Sequence, residues 1–125
     1  MPKPAREPKT PPKSGRKSLK EFDIEVLRRY TFEDEALERE LLGLFRGQLP
    51  ILVTQLADAK GQDAWRLAAH TLKGSARSVG APVLAELALE LEKIGYQEAP
   101  QRAELAARVK VAVEAFERAV QRFYR

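Results

Sequence analysis

Apolar residues recur every three or four positions from Leu19 to the C-terminus, and no stretch of the chain alternates with a period of two. This spacing places apolar side chains along one face of successive helices and argues against a half-buried sheet. We expect a short first helix over about residues 19–29, followed by four amphipathic helices of about 16 to 27 residues. Short loops between such helices are typical of an up-down-up-down bundle. The sequence therefore predicts an all-α fold, a four-helix bundle with the short additional helix packed across one end.

Capping and helix-breaking residues predict the helix boundaries. Thr31 followed by Asp34 resembles a capping box at the start of the second helix. Pro50 lies inside that helix and predicts a kink, because it removes an amide donor and clashes with the preceding turn. Asp63 is the predicted N-cap of the third helix. The other ends are marked by single residues: Gly80 after the third helix, Pro82 and Gly95 around the fourth, and Pro100 at the start of the fifth.

The composition is that of one small domain. The 125 residues are 44% hydrophobic, which is enough for a single core. The absence of cysteine excludes disulfides, thiolate chemistry and cysteine-based zinc sites, and it makes the reducing cytoplasm the expected compartment. No run of eighteen apolar residues and no N-terminal signal core occurs, so we expect neither export nor a membrane partner.

The positive charge is concentrated at the N-terminus. Residues 1–20 carry seven basic residues and one acidic residue, a charge of +6, whereas the remainder carries 15 basic and 17 acidic residues. Residues 1–18 are rich in Pro, Lys and Ser, and we expect a disordered basic tail before a folded domain over residues 19–125. The tail lacks aromatic residues that would stack on bases, and it has no amphipathic period for a bilayer interface. Nucleic acid is therefore not an expected partner.

The only histidine, His70, lies on the polar side of the predicted third helix. At about 100° of rotation per residue, the apolar residues of this helix gather on the side opposite the histidine. Four residues fall within about 60° of the histidine: Arg66, Lys73, Gly74 and Arg77. The spacing thus predicts an exposed imidazole in a basic stripe, which suits reaction with a group that arrives from solution.

The segment from His70 to Gly80 resembles the signature of histidine-containing phosphotransfer domains, the HPt modules of two-component phosphorelays. Lysine stands at plus three, glycine at plus four, a small residue at plus five and glycine at plus ten. The helix order and the Leu91-Glu92 pair extend the resemblance over residues 20–125. It implies that a neutral imidazole nitrogen of His70 accepts a phosphoryl group from a receiver-domain aspartate or from a histidine kinase. The group then passes to the aspartate of a response-regulator receiver domain.

The resemblance also implies roles for the neighbours of the histidine. Phosphoryl transfer depends mainly on positioning and charge neutralisation, and Lys73 resembles the cation that stands beside the phosphoryl oxygens. Arg66 and Arg77 extend the positive stripe. Gly74 costs about 1 kcal/mol relative to alanine inside a helix, and the resemblance implies that it leaves room for the phosphoryl group and the receiver. The alternative is that Gly74 permits close packing of a neighbouring helix.

Residues of the fourth helix are candidates for orientation and docking. Glu92 lies on its flank, and in HPt domains of the chemotaxis-kinase type the matching glutamate accepts a hydrogen bond from the histidine and sets its tautomer. The alternative is a solvated acid paired with a lysine. Ala85, Leu89 and Tyr96 share the side of Glu92, so they either form a receiver-docking patch with the end of the second helix or pack on the tail or first helix. We assign Trp65 to the edge of the core.

Together these features predict a phosphocarrier without an ATP-binding kinase domain of its own, and not an enzyme. We expect no cofactor or metal bound by this chain, with Mg²⁺ held in the acidic site of the partner receiver. We expect a monomer. Two alternatives remain. In the first alternative, the chain is the phosphoacceptor domain of a larger chemotaxis-type or hybrid kinase, and the tail is a linker. In the second, it is a helical scaffold whose basic tail binds nucleic acid.

Overall fold

The computed structural model describes residues 19–97 and 99–125, and this part of the chain contains five helices and no strand. The all-α prediction is confirmed. The predicted tail, residues 1–18, lies outside the described residues. The helices are α1 (Ile24–Thr31), α2 (Glu35–Asp58), α3 (Gln62–Val79), α4 (Pro82–Ile94) and α5 (Ala99–Tyr124).

Helix α1 begins at Ile24, so the predicted start near residue 19 is wrong. The side chain of Asp23 caps the helix and accepts a hydrogen bond from the backbone N–H of Glu25 at 3.2 Å. The apolar residues before it serve a different purpose. Phe22 packs edge-on against Phe116 of α5, with ring centroids 5.7 Å apart. A cap at Asp23 therefore separates a packing segment from the helix, although both follow the same apolar spacing.

The junction between α1 and α2 differs from the predicted capping box. Thr31 is buried in the last turn of α1 and does not cap α2. The backbone reverses at Phe32 and Glu33, whose φ angles are 53° and 64°. Asp34 is the N-cap of α2 and accepts a hydrogen bond from the N–H of Leu37 at 3.1 Å. Two successive left-handed residues end α1 later than the sequence predicts, and this leaves the side chain of Phe32 89% exposed.

The second junction is set by a glycine. Helix α2 continues past Pro50 as one element, and the kink there stays a prediction. Helix α3 begins at Gln62, because Gly61 occupies the cap position with a φ of 144°. Asp63 lies in the first turn of α3, so its assignment as the N-cap is wrong. The carbonyl of Gly61 accepts the N–H of Trp65 at 3.1 Å, so the helix starts two residues earlier than an N-cap at Asp63 would allow.

Gly80 ends α3 as predicted, and its conformation explains why a glycine stands there. Its φ is 80°, a left-handed conformation that favours glycine. Its carbonyl accepts a hydrogen bond from the N–H of Asp23 at 2.7 Å, and an added Cβ would overlap the backbone of Asp23. Pro82 and Gly95 bound α4 as predicted, but this helix has 13 residues and is shorter than expected.

The packing of α3 against α4 positions the polar side of the histidine helix. These two helices share the most extensive contact in the bundle, and α2 and α5 flank them. Trp65 belongs to the core and not to its edge, since it is almost fully buried. Its indole N–H donates a hydrogen bond to the carbonyl of Leu91 at 2.9 Å. This bond fixes α3 against α4 one turn and a half before His70 and one residue before Glu92.

A buried carboxylate attaches the end of α5 to α1 and α2. Glu38 is 1% exposed, and its two oxygens accept hydrogen bonds from Arg28 at 2.8 Å and from the hydroxyl of Tyr124 at 2.5 Å. The hydrogen bond from Arg28 lowers the pKa of Glu38 against the effect of burial. Burial and the contact with Glu38 raise the pKa of Tyr124 to about 12. The phenol therefore stays protonated at physiological pH, and its hydroxyl donates the hydrogen bond to Glu38.

Candidate functional site

One carboxylate connects the histidine to a lysine. His70 lies near the middle of α3 with 67% of its side chain exposed, and its Nδ1 is 3.0 Å from Oε2 of Glu92 on α4. The other carboxylate oxygen, Oε1, lies 2.5 Å from Nζ of Lys73. Glu92 thus combines the two contacts that the sequence left as alternatives, orientation of the histidine and pairing with a lysine.

The charge of Glu92 determines which imidazole nitrogen carries a proton. The hydrogen bond from Lys73 lowers the pKa of Glu92, and the contact with His70 lowers it further, although burial opposes both. An ionised carboxylate can only accept hydrogen bonds. Nδ1 of His70 must therefore be the protonated nitrogen in this contact. In the neutral imidazole the lone pair then lies on Nε2, which is the nitrogen available for reaction.

The predicted basic stripe separates into three different environments. Lys73 is only 16% exposed and its ammonium group faces Glu92. Arg66 is exposed and has no ion pair within residues 19–97 and 99–125. It lines a depression of 420 Å³ together with His70 and Glu92. Arg77 is also exposed, but it lies two turns beyond the histidine and lines a groove that faces the start of α1. The structure therefore brings Lys73 and Arg66 to the histidine and places Arg77 elsewhere.

Gly74 leaves open space one turn after the histidine. It is exposed, and apart from the backbone of its own helix, an added Cβ would meet no atom of the described residues within 4 Å. The alternative that this glycine permits close packing of a neighbouring helix is therefore wrong. Its effect on the surface is to remove a side chain from the approach to His70.

The predicted docking patch on α4 is smaller than expected. Ala85 is buried, so its assignment to an exposed patch is wrong. It lines a groove together with Asp23, because the segment that leads into α1 covers this side of α4. Tyr96 is half-buried, and the guanidinium of Arg102 lies 4.0 Å from the centre of its ring. Leu89 is partly accessible like Tyr96, so two of the three residues of the predicted patch reach the surface.

A comparison with protein families agrees with this geometry. The model of the Hpt domain family matches residues 40–121, about two thirds of the chain. The chain belongs to the Hpt domain family. Hpt domains are phosphocarrier modules of two-component systems, without kinase activity, and they interact with receiver domains and histidine kinases. Neither the curated proteins nor the solved structures gave a significant match.

The structure of this Hpt domain contains an apolar surface that the sequence did not reveal. Leu44 and Ile51 on α2 and Leu67 on α3 are each more than half exposed. The groove between α2 and α3 is lined by no charged residue among those described. We call this groove and its rim the α2/α3 surface. Its main residues are Gly43, Leu44, Gly47, Ile51, Ser75 and Ser78. The spacing of seven between Leu44 and Ile51, beside the buried stripe of α2, is the signal that would have indicated it.

The histidine of the Hpt domain therefore has two unlike sides. On the helical wheel of α3, Leu67, Gly74 and Ser78 lie about 40° to 80° to one side of His70, toward α2. Lys73 lies about 60° to the other side, toward Glu92 on α4. The α4 side holds the charges, and the α2 side is open and uncharged.

No helix within the described residues is both long enough and apolar enough to cross a membrane.

Proposed function

We propose that this Hpt domain carries a phosphoryl group on Nε2 of His70 between a donor and a response-regulator receiver. The observation that supports it best is the contact between Nδ1 and the ionised Glu92, because it leaves the Nε2 lone pair exposed. That lone pair attacks the phosphorus of an aspartyl phosphate. An N–P bond forms as the P–O bond breaks, and the aspartate leaves as a carboxylate. Transfer to the next receiver is the reverse step, and a histidine kinase is the alternative donor.

The two nearby cations have different tasks in this proposal. Lys73 pairs with Glu92, so it holds the carboxylate in place and keeps it ionised. Arg66 is exposed beside the histidine and is the cation free to approach the phosphoryl oxygens. Charge develops on those oxygens in the transition state, and neutralising it is the main contribution a protein can make. We expect Mg²⁺ in the acidic site of the receiver to supply further neutralisation, and we expect the domain to act in the cytoplasm with its receiver.

We assign receiver docking to the α2/α3 surface. The receiver must bring its aspartate within bonding distance of Nε2, and Gly74 removes the side chain that would obstruct this approach. Exposed Leu44 and Ile51 provide apolar contact area on this surface, and exposed Leu67 lines the depression beside His70. Contiguous exposed apolar residues are typical of protein interaction sites. Leu89 extends the contact on the α4 side of the histidine.

Transfer from a phosphorylated receiver tests the chemistry. The protein is mixed with receiver domains from its source genome that carry a labelled aspartyl phosphate. We expect label on the protein that is lost in acid and stable in base, as phosphohistidine requires. His70→Gln should remove the label while the circular dichroism of the folded bundle is unchanged. Label that remains on the His70→Gln variant contradicts the proposal.

The docking surface is tested separately from the reactive nitrogen. Leu44→Glu together with Ile51→Glu should slow transfer from the receiver by about 10-fold or more, as loss of central apolar contacts does in protein interfaces. Labelling by phosphoramidate, a small phosphoryl donor that needs no docking, should be unchanged. The control is Tyr30→Glu, which alters a similarly exposed aromatic residue on α1. If the control slowed transfer from the receiver equally, the effect would come from the added negative charge and not from lost docking contacts.

A further inference from the structure

Asp63 lies in the same depression as His70, and the phosphotransfer proposal gives this carboxylate no task. The depression has a volume of 420 Å³, and the residues that line it are Asp63, Arg66, Leu67, His70 and Glu92. Asp63 precedes the histidine by seven residues of α3, which corresponds to a rotation of about 20° and a rise of about 10 Å. The two side chains therefore project from the same face of one helix, and both are exposed.

Arg66 lies between these two residues along the axis of α3. It follows Asp63 by three positions and precedes His70 by four, and side chains at both spacings are neighbours on a helix surface. Neither Asp63 nor Arg66 has an ion pair within the described part of the chain. The nearby Glu92 and Lys73 are already paired with each other. The guanidinium of Arg66 is therefore free to turn toward either end of the depression.

A phosphoryl group on His70 changes the charge at one end of the depression. It carries a charge of about −1.5 to −2 near neutral pH, so it attracts the same guanidinium as the carboxylate of Asp63. Direct repulsion between the two anions is weak. About 10 Å of helix separates them, which exceeds the Debye length of about 8 Å at physiological ionic strength. Arg66 is adjacent to both anions, so it is the group through which Asp63 acts on the phosphohistidine.

We propose that Asp63 sets the phosphoryl-transfer equilibrium of His70 by competing with the phosphoryl group for Arg66. This inference rests on the proposed function, in which the group is shared between Nε2 of His70 and the aspartate of a receiver. The N–P bond forms as the acyl P–O bond breaks, and the reverse step returns the group to the carboxylate. Forming the N–P bond draws the guanidinium away from the attraction of Asp63. Asp63 is thus a positioning residue that favours return of the group to the receiver.

The equilibrium ratio of phosphorylated domain to phosphorylated receiver measures this competition. Asp63→Asn should raise the ratio about two-fold, as expected for the loss of one ion pair on a helix surface. Arg66→Gln should lower it about 10-fold, because it removes a charge-assisted hydrogen bond to the phosphoryl oxygens. The double variant should show the same ratio as Arg66→Gln alone, since Asp63 then has no guanidinium to compete for.

The side chain of Arg66 gives a second readout that needs no receiver. Its Nε–Hε NMR signal should shift when His70 is phosphorylated by phosphoramidate, because the guanidinium then faces the phosphoryl oxygens. In the unphosphorylated protein the same signal should shift on Asp63→Asn. A purely structural role of Asp63 in the first turn of α3 would change neither the transfer equilibrium nor the response of this signal to phosphorylation.

Glu35→Gln is the matched control, because Glu35 is an exposed acidic residue in the first turn of α2, as Asp63 is in α3. It should leave the ratio unchanged. The inference is overturned if Asp63→Asn does not raise the ratio, or if it raises it equally with and without Arg66, which would indicate direct repulsion. A domain that takes no label from any receiver contradicts the proposed function instead. In that case an Arg66 signal that does not respond to phosphorylation by phosphoramidate overturns this inference.

Discussion

Gly80→Ala places a methyl group where the backbone of Asp23 already lies. The added Cβ would overlap the carbonyl oxygen of Asp23, whose own N–H donates to the carbonyl of Gly80 at 2.7 Å. Neither side of this contact can move freely, since Gly80 ends α3 and Asp23 caps α1. The substitution should therefore separate the start of α1 from the turn between α3 and α4.

The expected loss has two parts. A left-handed conformation costs about 1–2 kcal/mol for a residue with a Cβ, and the φ of Gly80 is 80°. Breaking the hydrogen bond between Asp23 and Gly80 costs about 1 kcal/mol more. The free energy of unfolding should thus fall by about 2–3 kcal/mol. For a domain of this size, that corresponds to a decrease in Tm of about 10–15 °C.

The matched comparison is Gly74→Ala, six residues earlier in the same helix. Gly74 is exposed with open space around its Cβ position, so alanine should raise the free energy of unfolding by about 1 kcal/mol through helix propensity. Urea and thermal unfolding followed by circular dichroism measure both effects. Transfer from a receiver, measured where both variants are folded, should be slowed in Gly74→Ala and retained in Gly80→Ala.

The reasoning fails if the two glycines do not differ in this way. A decrease in stability below about 0.5 kcal/mol for Gly80→Ala is the size of an ordinary surface substitution. It would mean that the contact with Asp23 does not constrain the fold. If Gly80→Ala lost phosphotransfer under conditions in which the variant is fully folded, this glycine would instead have a direct part in the reaction.

Three further predictions concern residues away from these glycines. Tyr124 has its pKa raised to about 12, so its contribution to stability is complete below pH 10 and is lost as the pH rises toward 12. Tyr124→Phe should lower the free energy of unfolding by about 1 kcal/mol at pH 7, and its urea-unfolding curves should approach those of the wild type near pH 12. Phe32→Gly should stabilise the fold by about 1 kcal/mol in thermal unfolding, because Phe32 is exposed and left-handed. Glu92→Gln should slow phosphoramidate labelling of His70 by about 10-fold and change the imidazole ¹⁵N shifts, since the amide no longer fixes the tautomer. The pKa of Glu92 is lowered, so the stability it contributes is present above about pH 4.5 and is lost as the pH falls through the lowered pKa; the difference in unfolding free energy between wild type and variant should shrink in that acidic range.

The apolar period and the residues at helix ends were sufficient to predict the helix order. Pro82 and Gly95 bound α4 where expected, because each has a strong conformational preference of its own. The start of α1 was not predictable in the same way. Phe22 follows the apolar spacing of a helix, yet it lies before the cap at Asp23 and packs on α5. Periodicity identifies which side chains are buried but does not distinguish a helix from an adjacent packed segment.

The candidate site was likewise predictable only in part. The flank position of Glu92, together with the family resemblance, suggested a contact with His70, with a lysine partner as the alternative, and the structure contains both contacts. Ala85 shares that side of α4, yet the segment before α1 covers it. Leu44 follows the apolar spacing of α2, yet it is exposed. Single-helix patterns do not contain the positions of the other elements, which decide whether an apolar residue is covered.

The unlike sides of His70 also bear on how such a module can change its partners. The groups that fix the reactive nitrogen lie on α3 and α4, whereas the exposed apolar residues of α2 touch none of them. If the receiver docks on the α2/α3 surface as proposed, substitutions along α2 alter which receiver is recognised without altering the nucleophilicity of the imidazole. In the proposed docking mode, the contacts from α2 and the groups that set reactivity lie on different helices, so changes on α2 redirect a duplicated copy of this domain to a new receiver while its imidazole stays chemically competent.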